Sequence, residues 1–368
     1  MNTRLRCGYQ PNIYESRSVL FFMRSIKTSY AQSKYIGRLP KGCVQCMRGR
    51  KLVLFVTGVC HHSCYYCPLS SKRKNVDKTW ANEALVSSDE DVVREARLCS
   101  SRGVGVTGGE PLARFDRTIK YIRLLKRAFG AKFHVHLYTS GDVLSDKMLR
   151  ELEDAGLDEL RLHLREDLSL IDKCLGHKFD VGAEVPVVPG KEEKLKELIL
   201  YLEKVGAKFL NLNELEMSEL NFSRMTKRGL LSNEDVFNTV RGSYDAGLAL
   251  LEFARRNTDK LSVHFCTSCV KNVYQYQNRL RLRAKSILKG FERSVDYCMI
   301  EKGVVEGDFG KIISELRLTE SEFFINRDEM RVEMSVKNAR RAKGLGYKCA
   351  VVKVMPTSDS FDFEKEVL

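Results

Sequence analysis

At 368 residues, 43% of them apolar and 30% charged, the chain is long enough for one large domain with an appendage or for two domains, each with a proper core. No apolar run approaches the roughly 18 residues that span a bilayer, and "VLFFM" at 19–23 is too short for a signal-peptide core, which predicts a cytoplasmic protein with no membrane association. The net charge of +14 is concentrated: residues 1–51 hold eleven Lys or Arg against the single acid Glu15, and residues 271–293 hold seven against Glu292 alone, a distribution suited to a polyanion such as RNA or to a solvated basic surface.

Between 51 and 213 short β-branched runs alternate with amphipathic helical patterns, the signature of βα units around a parallel sheet. Strands are predicted at 51–56, 104–107, 133–139, 159–164, 182–188 and 207–213. The helices between them carry punctuation: Ser88 with Asp91 forms a capping box ahead of Val92, Ala96 and Cys99, and Phe115, Ile119 and Ile122 recur at helical spacing up to Gly130. Six units are too few to close an eight-fold barrel, so an open, partial barrel is predicted. A long helix is expected from Ser232–Asp235 to about Asn257, then a strand at "LSVHF". Val273, Tyr276, Leu280, Ala284, Ile287 and Phe291 next give a helix an apolar face ringed by Lys and Arg. The last segment reads strand, helix, strand. The predicted organisation is a basic lead-in (1–50), the barrel core (51–215), a helical extension (216–293) and a small C-terminal α+β appendage (294–368).

In a reducing compartment twelve cysteines do not read as a disulfide framework. Cys7, Cys99, Cys174, Cys298 and Cys349 stand alone and read as packing residues. Cys60, Cys64 and Cys67, by contrast, lie at x3 and x2 spacing in the loop that leaves the first strand. Three thiolates can each bind one iron of a four-iron, four-sulfur cubane and leave the fourth iron open. Structural zinc needs four protein ligands, and His61 and His62, so close to Cys60, would complete that set only through a cramped loop.

The cluster spacing, with Tyr66 before the last cysteine, resembles the radical S-adenosylmethionine (radical SAM) family in the CxxxCxYC form of pyruvate formate-lyase activating enzymes. Further correspondences follow in family order: "TGGEP" (Thr107–Pro111) after the second strand as the GGE motif, "YTSG" (Tyr138–Gly141) after the third where relatives often have TNG, and the six-strand count. The resemblance implies a 4Fe–4S cluster on Cys60, Cys64 and Cys67, with S-adenosylmethionine chelating the open iron. Gly108, Gly109, Glu110 and Pro111 would then meet the cofactor's amine, beside Tyr66. Ser140, which departs from the usual Asn, would meet the ribose. His163, Glu184, Asn213, Glu214 and Glu216 fall at strand C-terminal ends and read as site-lining, Glu184 and Glu214 as catalytic candidates, or else as caps and surface acids.

Two CxxC pairs, Cys43/Cys46 and Cys266/Cys269, suggest one four-thiolate site that holds structural zinc or an auxiliary iron–sulfur cluster. Because Cys46 precedes the first strand, the 261–265 strand is expected to run antiparallel to the barrel and bring Cys266 to its bottom. The chain also broadly resembles an archaeal-type radical SAM group related to pyruvate formate-lyase activating enzymes, over about residues 40–290. Residues 1–38 fall outside that match, and Met23 stands as an alternative start. The resemblance implies an oxidoreductase-type enzyme that takes an electron from ferredoxin or flavodoxin and cleaves S-adenosylmethionine. RNA modification is the first reading of its role, and a protein, peptide or small metabolite substrate the second. The reading from another class is a non-catalytic iron–sulfur or zinc RNA-binding protein.

Overall fold

The computed structural model describes residues 24–234 and 237–368, so Cys7, Met23 and the first 23 residues of the basic lead-in lie outside the described residues. Seven parallel strands stand side by side in chain order: β1 (Lys51–Phe55), β2 (Gly103–Thr107), β3 (His134–Thr139), β4 (Glu159–Leu162), β5 (Asp180–Val187), β6 (Phe209–Glu214) and β7 (Ser262–Cys266). The first six match the predicted partial barrel. The strand at 262–266 is a correction, since it pairs with β6 in parallel, Asn213 opposite Cys266, and not antiparallel as expected. The αβ connection ahead of it imposes that direction: α6 (Ser243–Asn257) packs on the sheet and returns the chain to the bottom. Short antiparallel strands protect both edges, Lys34–Ile36 beside β7 and Trp80–Ala81 beside β1.

The alternation along these strands decides what each face does. Leu52, Leu54, Val104, Val106, Val135, Leu137, Leu160, Leu162, Leu210, Leu212, Val263 and Phe265 point outward and are fully buried under helices. Those helices include α2 (Asp89–Leu98), α3 (Phe115–Phe129), α4 (Asp146–Ala155) and α5 (Glu192–Val205). The capping box predicted at Ser88 and Asp91 is present. The other register, Lys51, Gly105, His136, Arg161, Glu184, Asn211 and His264, faces the bore. The hydrophobic core is therefore the layer between sheet and helices, and the bore is polar.

A seven-residue helix, α1 (Lys41–Met47), enters that bore from below. Its N-terminus has no side-chain cap of its own, and Gly42 N instead donates to Glu159 Oε2 at 3.2 Å, a carboxylate at the positive end of a helix. Glycine is required at 42, since a Cβ would come within 2.6 Å of both His136 Nδ1 and an Arg161 guanidinium nitrogen.

The predicted helix from Ser232 is also corrected. Residues 216–234 and 237–240 form a lobe in which Glu216 bridges Thr239 and Ser232 bridges Val240, and α6 begins only after Gly242, at φ +81°. Beyond it, residues 270–277 are helical and lead into α7 (Asn278–Ile287). A second, antiparallel sheet follows, built from β8 (Met299–Glu306), β9 (Phe323–Asn326), β10 (Arg331–Met334), β11 (Lys348–Val354) and β12 (Asp362–Val367) in the order β9–β10–β8–β11–β12. It packs α8 (Phe309–Leu316) and α9 (Val336–Gly344) around Val305, Ile312, Val332 and Ala339. No described helix is long and apolar enough to cross a membrane.

Candidate active site

The cysteine loop is held to the loop after β2 by backbone alone. Gly109 N donates to Thr57 O at 2.7 Å and Glu110 N to Val59 O at 2.8 Å, continuing the β1–β2 pairing past the strand ends. That approach explains the glycines: a Cβ at 108 would lie 2.5 Å from Thr57 O, and one at 109 would lie 2.6 Å from the carbonyls of both Gly58 and Val59. The glycine pair thus serves the close approach of two protein loops.

Glu110, 2% exposed, ties this loop to the next. Its carboxylate accepts from Leu112 N (3.1 Å), Thr139 Oγ1 (2.7 Å), Ser140 N (2.9 Å) and Ser140 Oγ (2.8 Å). Ser140, expected at a ribose, gives its hydroxyl proton to Glu110 and keeps its lone pairs. His163 is held neutral, its pKa lowered chiefly by burial. Nδ1 lies 3.2 Å from Glu184 O, where only an N–H can bond, so Nε2 is the acceptor for Tyr66 Oη at 2.9 Å. From the far side the lobe that begins at residue 216 grips the cysteine loop, as Asn221 Nδ2 donates to Tyr66 O at 3.1 Å and Arg224 to Cys64 O at 3.2 Å.

These loops enclose a cavity of about 370 Å³. Cys60, Cys64, Cys67, Tyr66, Gly108, Gly109, Glu110, Pro111, Ser140, His163, Glu184 and Glu214 all line it, as do Asn213 and Glu216. The donor set fits a three-thiolate cluster. All three sulfurs belong to half-buried residues lining one cavity, and although His62 lines it too, the imidazoles of both neighbouring histidines are engaged elsewhere. His61 and His62 turn to Asp142, at 3.5 and 2.5 Å, and Arg165 bonds both His62 and Asp142. Glu214 accepts from Ser268 N at 2.7 Å and, mainly through burial, its pKa is raised.

Below this cavity lies an inner chamber of about 190 Å³, lined by Cys43, Cys46, Lys51, Arg161, Asn211, His264 and Cys266. The two spaces share Thr107, Tyr138, Glu184, Asn213 and Lys271. Glu184 sits at this boundary. Burial would raise its pKa, but Arg161 at 2.5 Å and the amides of Asn213 and Asn211, both at 2.9 Å, outweigh burial and hold it at about 2. Burial pushes His264 down to about 3 and His136 well below its usual value, so both are neutral. It likewise pushes the Cys43 thiol up to about 12, against the pull of Arg161.

The structure thus brings Cys43, Cys46 and Cys266 to one chamber although β7 is parallel, because α1 rises inside the bore. Cys269 precedes the helical segment 270–277 and is not among the residues lining the chamber. Sequence reasoning missed Lys51, Tyr138, Arg161, Asn211 and Lys271 as site residues. The available signal was the period of two: Glu159-x-Arg161-x-His163 and His134-x-His136-x-Tyr138 place polar residues on one face of strands whose other face is aliphatic. The basic residues of α7, expected to suit a polyanion or a solvated surface, divide: Arg281 and Lys285 are exposed and two others are not. Arg279 and Arg283 are 5% and 7% exposed and pair with Glu83 at 2.6 Å and Glu95 at 3.1 Å, because α7 packs this side on α2.

A partial βα barrel whose first three loops form one cavity lined by three cysteines defines the class of α/β fold. The radical SAM superfamily model matches residues 54–167. A Methanocaldococcus jannaschii protein named "Putative glycyl-radical enzyme activating enzyme" is 35% identical over 351 residues, covering 89% of this chain and 92% of its own. The chain belongs to the radical SAM superfamily, in the archaeal-type group related to pyruvate formate-lyase activating enzymes. A Methanococcus maripaludis protein named "Probable GTP 3',8-cyclase" is 29% identical over 161 residues, 43% of this chain and 49% of that one. Among solved structures, Streptococcus suis SuiB bound to S-adenosylmethionine is similar over 59% of this chain and 50% of its own, with a TM-score of 0.42 and 13% identity. The chain spans about half the length of that solved neighbour.

Proposed function

We propose that this protein reductively cleaves S-adenosylmethionine at a 4Fe–4S cluster carried by Cys60, Cys64 and Cys67 and abstracts hydrogen from a protein or peptide substrate. The observation that carries the reading is the single 370 Å³ cavity onto which the three cysteines, the Gly108–Pro111 loop, Ser140 and His163 all open. When bound and reduced by a ferredoxin or flavodoxin, the cluster supplies one electron to break the C5′–S bond of S-adenosylmethionine, and the 5′-deoxyadenosyl radical formed takes a hydrogen atom from the substrate. The chain's own residues position and shield. Glu110 fixes the two loops against each other, Tyr66 and His163 brace the far wall, and the ionised Glu184 with Asn213 forms a polar floor.

Two features support a peptide over RNA. Beside the cavity, and sharing His62, Tyr66 and Arg165 with it, lies a concavity of about 520 Å³ with Leu164, Leu168 and Val185 in its lining, a partly apolar surface of the kind that takes peptide side chains. Two of the three arginines on α7, Arg279 and Arg283, are spent in buried ion pairs, which thins the basic face that RNA would need. Anaerobic incubation of the reduced protein with S-adenosylmethionine tests the chemistry. Release of 5′-deoxyadenosine and methionine by wild type but not by Cys64→Ala is expected, and no 5′-deoxyadenosine from an iron-loaded wild type would overturn it.

A further inference from the structure

The bore holds more chemistry than the cleavage of S-adenosylmethionine uses. Cys43 and Cys46 lie one turn apart on α1, and with Cys266 at the end of β7 they line one chamber. Two N–H donors converge on Cys43 Sγ, the Arg161 guanidinium and Asn211 Nδ2, each at 3.4 Å. A neutral thiol is a weak acceptor, whereas a metal-bound thiolate is stabilised by N–H groups directed at its sulfur. Lys51 and Arg161 set two buried cations against the same chamber, while the nearby Glu159 and Glu184 are already bonded to Arg161. Added thiolate charge would therefore have a cation, Lys51, without a carboxylate of its own in the chamber.

We propose that Cys43, Cys46 and Cys266 hold a second metal centre inside the barrel, a multi-iron cluster and not a single zinc ion. Donor count decides between the two. Structural zinc needs four protein ligands, whereas a cubane is held by three thiolates, each on a different iron. Three cysteines line the chamber and Cys269 does not, and the ring nitrogens of His264 lie against Asn211 Oδ1 at 3.3 Å and Ser33 Oγ at 2.9 Å. Cys43, Cys46 and Cys266 thus offer the same three-thiolate set as Cys60, Cys64 and Cys67. The centre would abut the floor of the upper cavity through Glu184 and Asn213, and α1 would close the bore beneath it, leaving substrate to enter from above.

Metal analysis of the full-length chain, reconstituted anaerobically with iron and sulfide, tests this. A Cys60→Ala/Cys64→Ala/Cys67→Ala variant leaves the bore untouched. It is expected to keep about half of the wild-type iron, with sulfur-to-iron charge-transfer absorption, while losing S-adenosylmethionine cleavage. Loss of all iron from that variant, or one zinc in place of the iron, overturns the proposal. The converse variant, Cys43→Ala/Cys46→Ala/Cys266→Ala, should lose the other half and retain native circular dichroism. A folded variant with full iron content also overturns it. Failure of the proposed activity would be visible separately, as an iron-loaded wild type that releases no 5′-deoxyadenosine.

Discussion

The upper cavity and the inner chamber share five residues and one sheet, yet they are built by opposite rules. The upper cavity is made of contiguous loops, 57–68, 107–111 and 138–141, the first two locked by main-chain hydrogen bonds and by glycines with no room for a side chain, the third tied on by the Glu110 carboxylate. The inner chamber is made of single residues, one or two from each strand, locked by charge. Arg161 alone reaches Glu159, Glu184, Tyr138 and Cys43. Backbone geometry tolerates no added atom, and a buried charge network tolerates no missing partner. The two regions should therefore fail differently.

The largest effect is expected in the chamber. Arg161→Met keeps volume but leaves Glu159 and Glu184 buried without their common cation, which costs about 3–5 kcal/mol. Denaturant unfolding should show a fall of that size. A change below about 1 kcal/mol would mean that the bore is wet enough to screen its charges, and the contrast between the two regions would collapse. Next comes Gly109→Val. Its side chain meets two main-chain carbonyls that cannot rotate away, so the cysteine loop must shift by something near an ångström, worth about 100-fold in the rate of S-adenosylmethionine cleavage. Gly290→Ala, where a Cβ meets nothing within 4 Å, is the control expected to match wild type. Third, Glu110→Gln exchanges one acceptor oxygen for a donor amide. Of the four bonds at Glu110 some must then face donor to donor, for a loss of about 10-fold in apparent affinity for S-adenosylmethionine. Unchanged binding would show that the loop after β3 is held without Glu110.

The same contrast explains what could be read from the sequence. The strands and the cysteine loop were legible because their signals are local: alternation, a capping box at Ser88, three cysteines within eight residues. The chamber was not, because Lys51 and Arg161 meet only after the sheet curls, and α1 could not be assigned to the bore without knowing that Glu159 would receive its N-terminus. The direction of β7 was misjudged for the same reason. Cys266 was assigned to the bottom on the premise that Cys43 and Cys46 stay there, but the helix carries them up. On α7 the apolar spacing was right and its breadth was not. Arg279 and Arg283 flank the apolar Leu280 and Ala284 and are buried with them because Glu83 and Glu95, remote in sequence, wait opposite.

The smallest expected effect lies at the hinge between the loop and the strand face. Tyr66→Phe removes the hydroxyl's bond to His163 Nε2 at 2.9 Å and its side-chain hydrogen bond with Cys64, and leaves the ring packed against Tyr65. His163 keeps its bond to Glu184 O and its neutral form, so on the imidazole only Nε2 loses a partner, and the cavity beside it gives water access to that atom. The loss should be about 1 kcal/mol, less than 10-fold in the rate of 5′-deoxyadenosine formation and with iron content unchanged. His163→Leu, which breaks both bonds, should cost more than Tyr66→Phe does, and the double variant should add little to it. If Tyr66→Phe instead releases iron, the cysteine loop depends on a side-chain bond, and backbone locking is not what distinguishes the upper cavity.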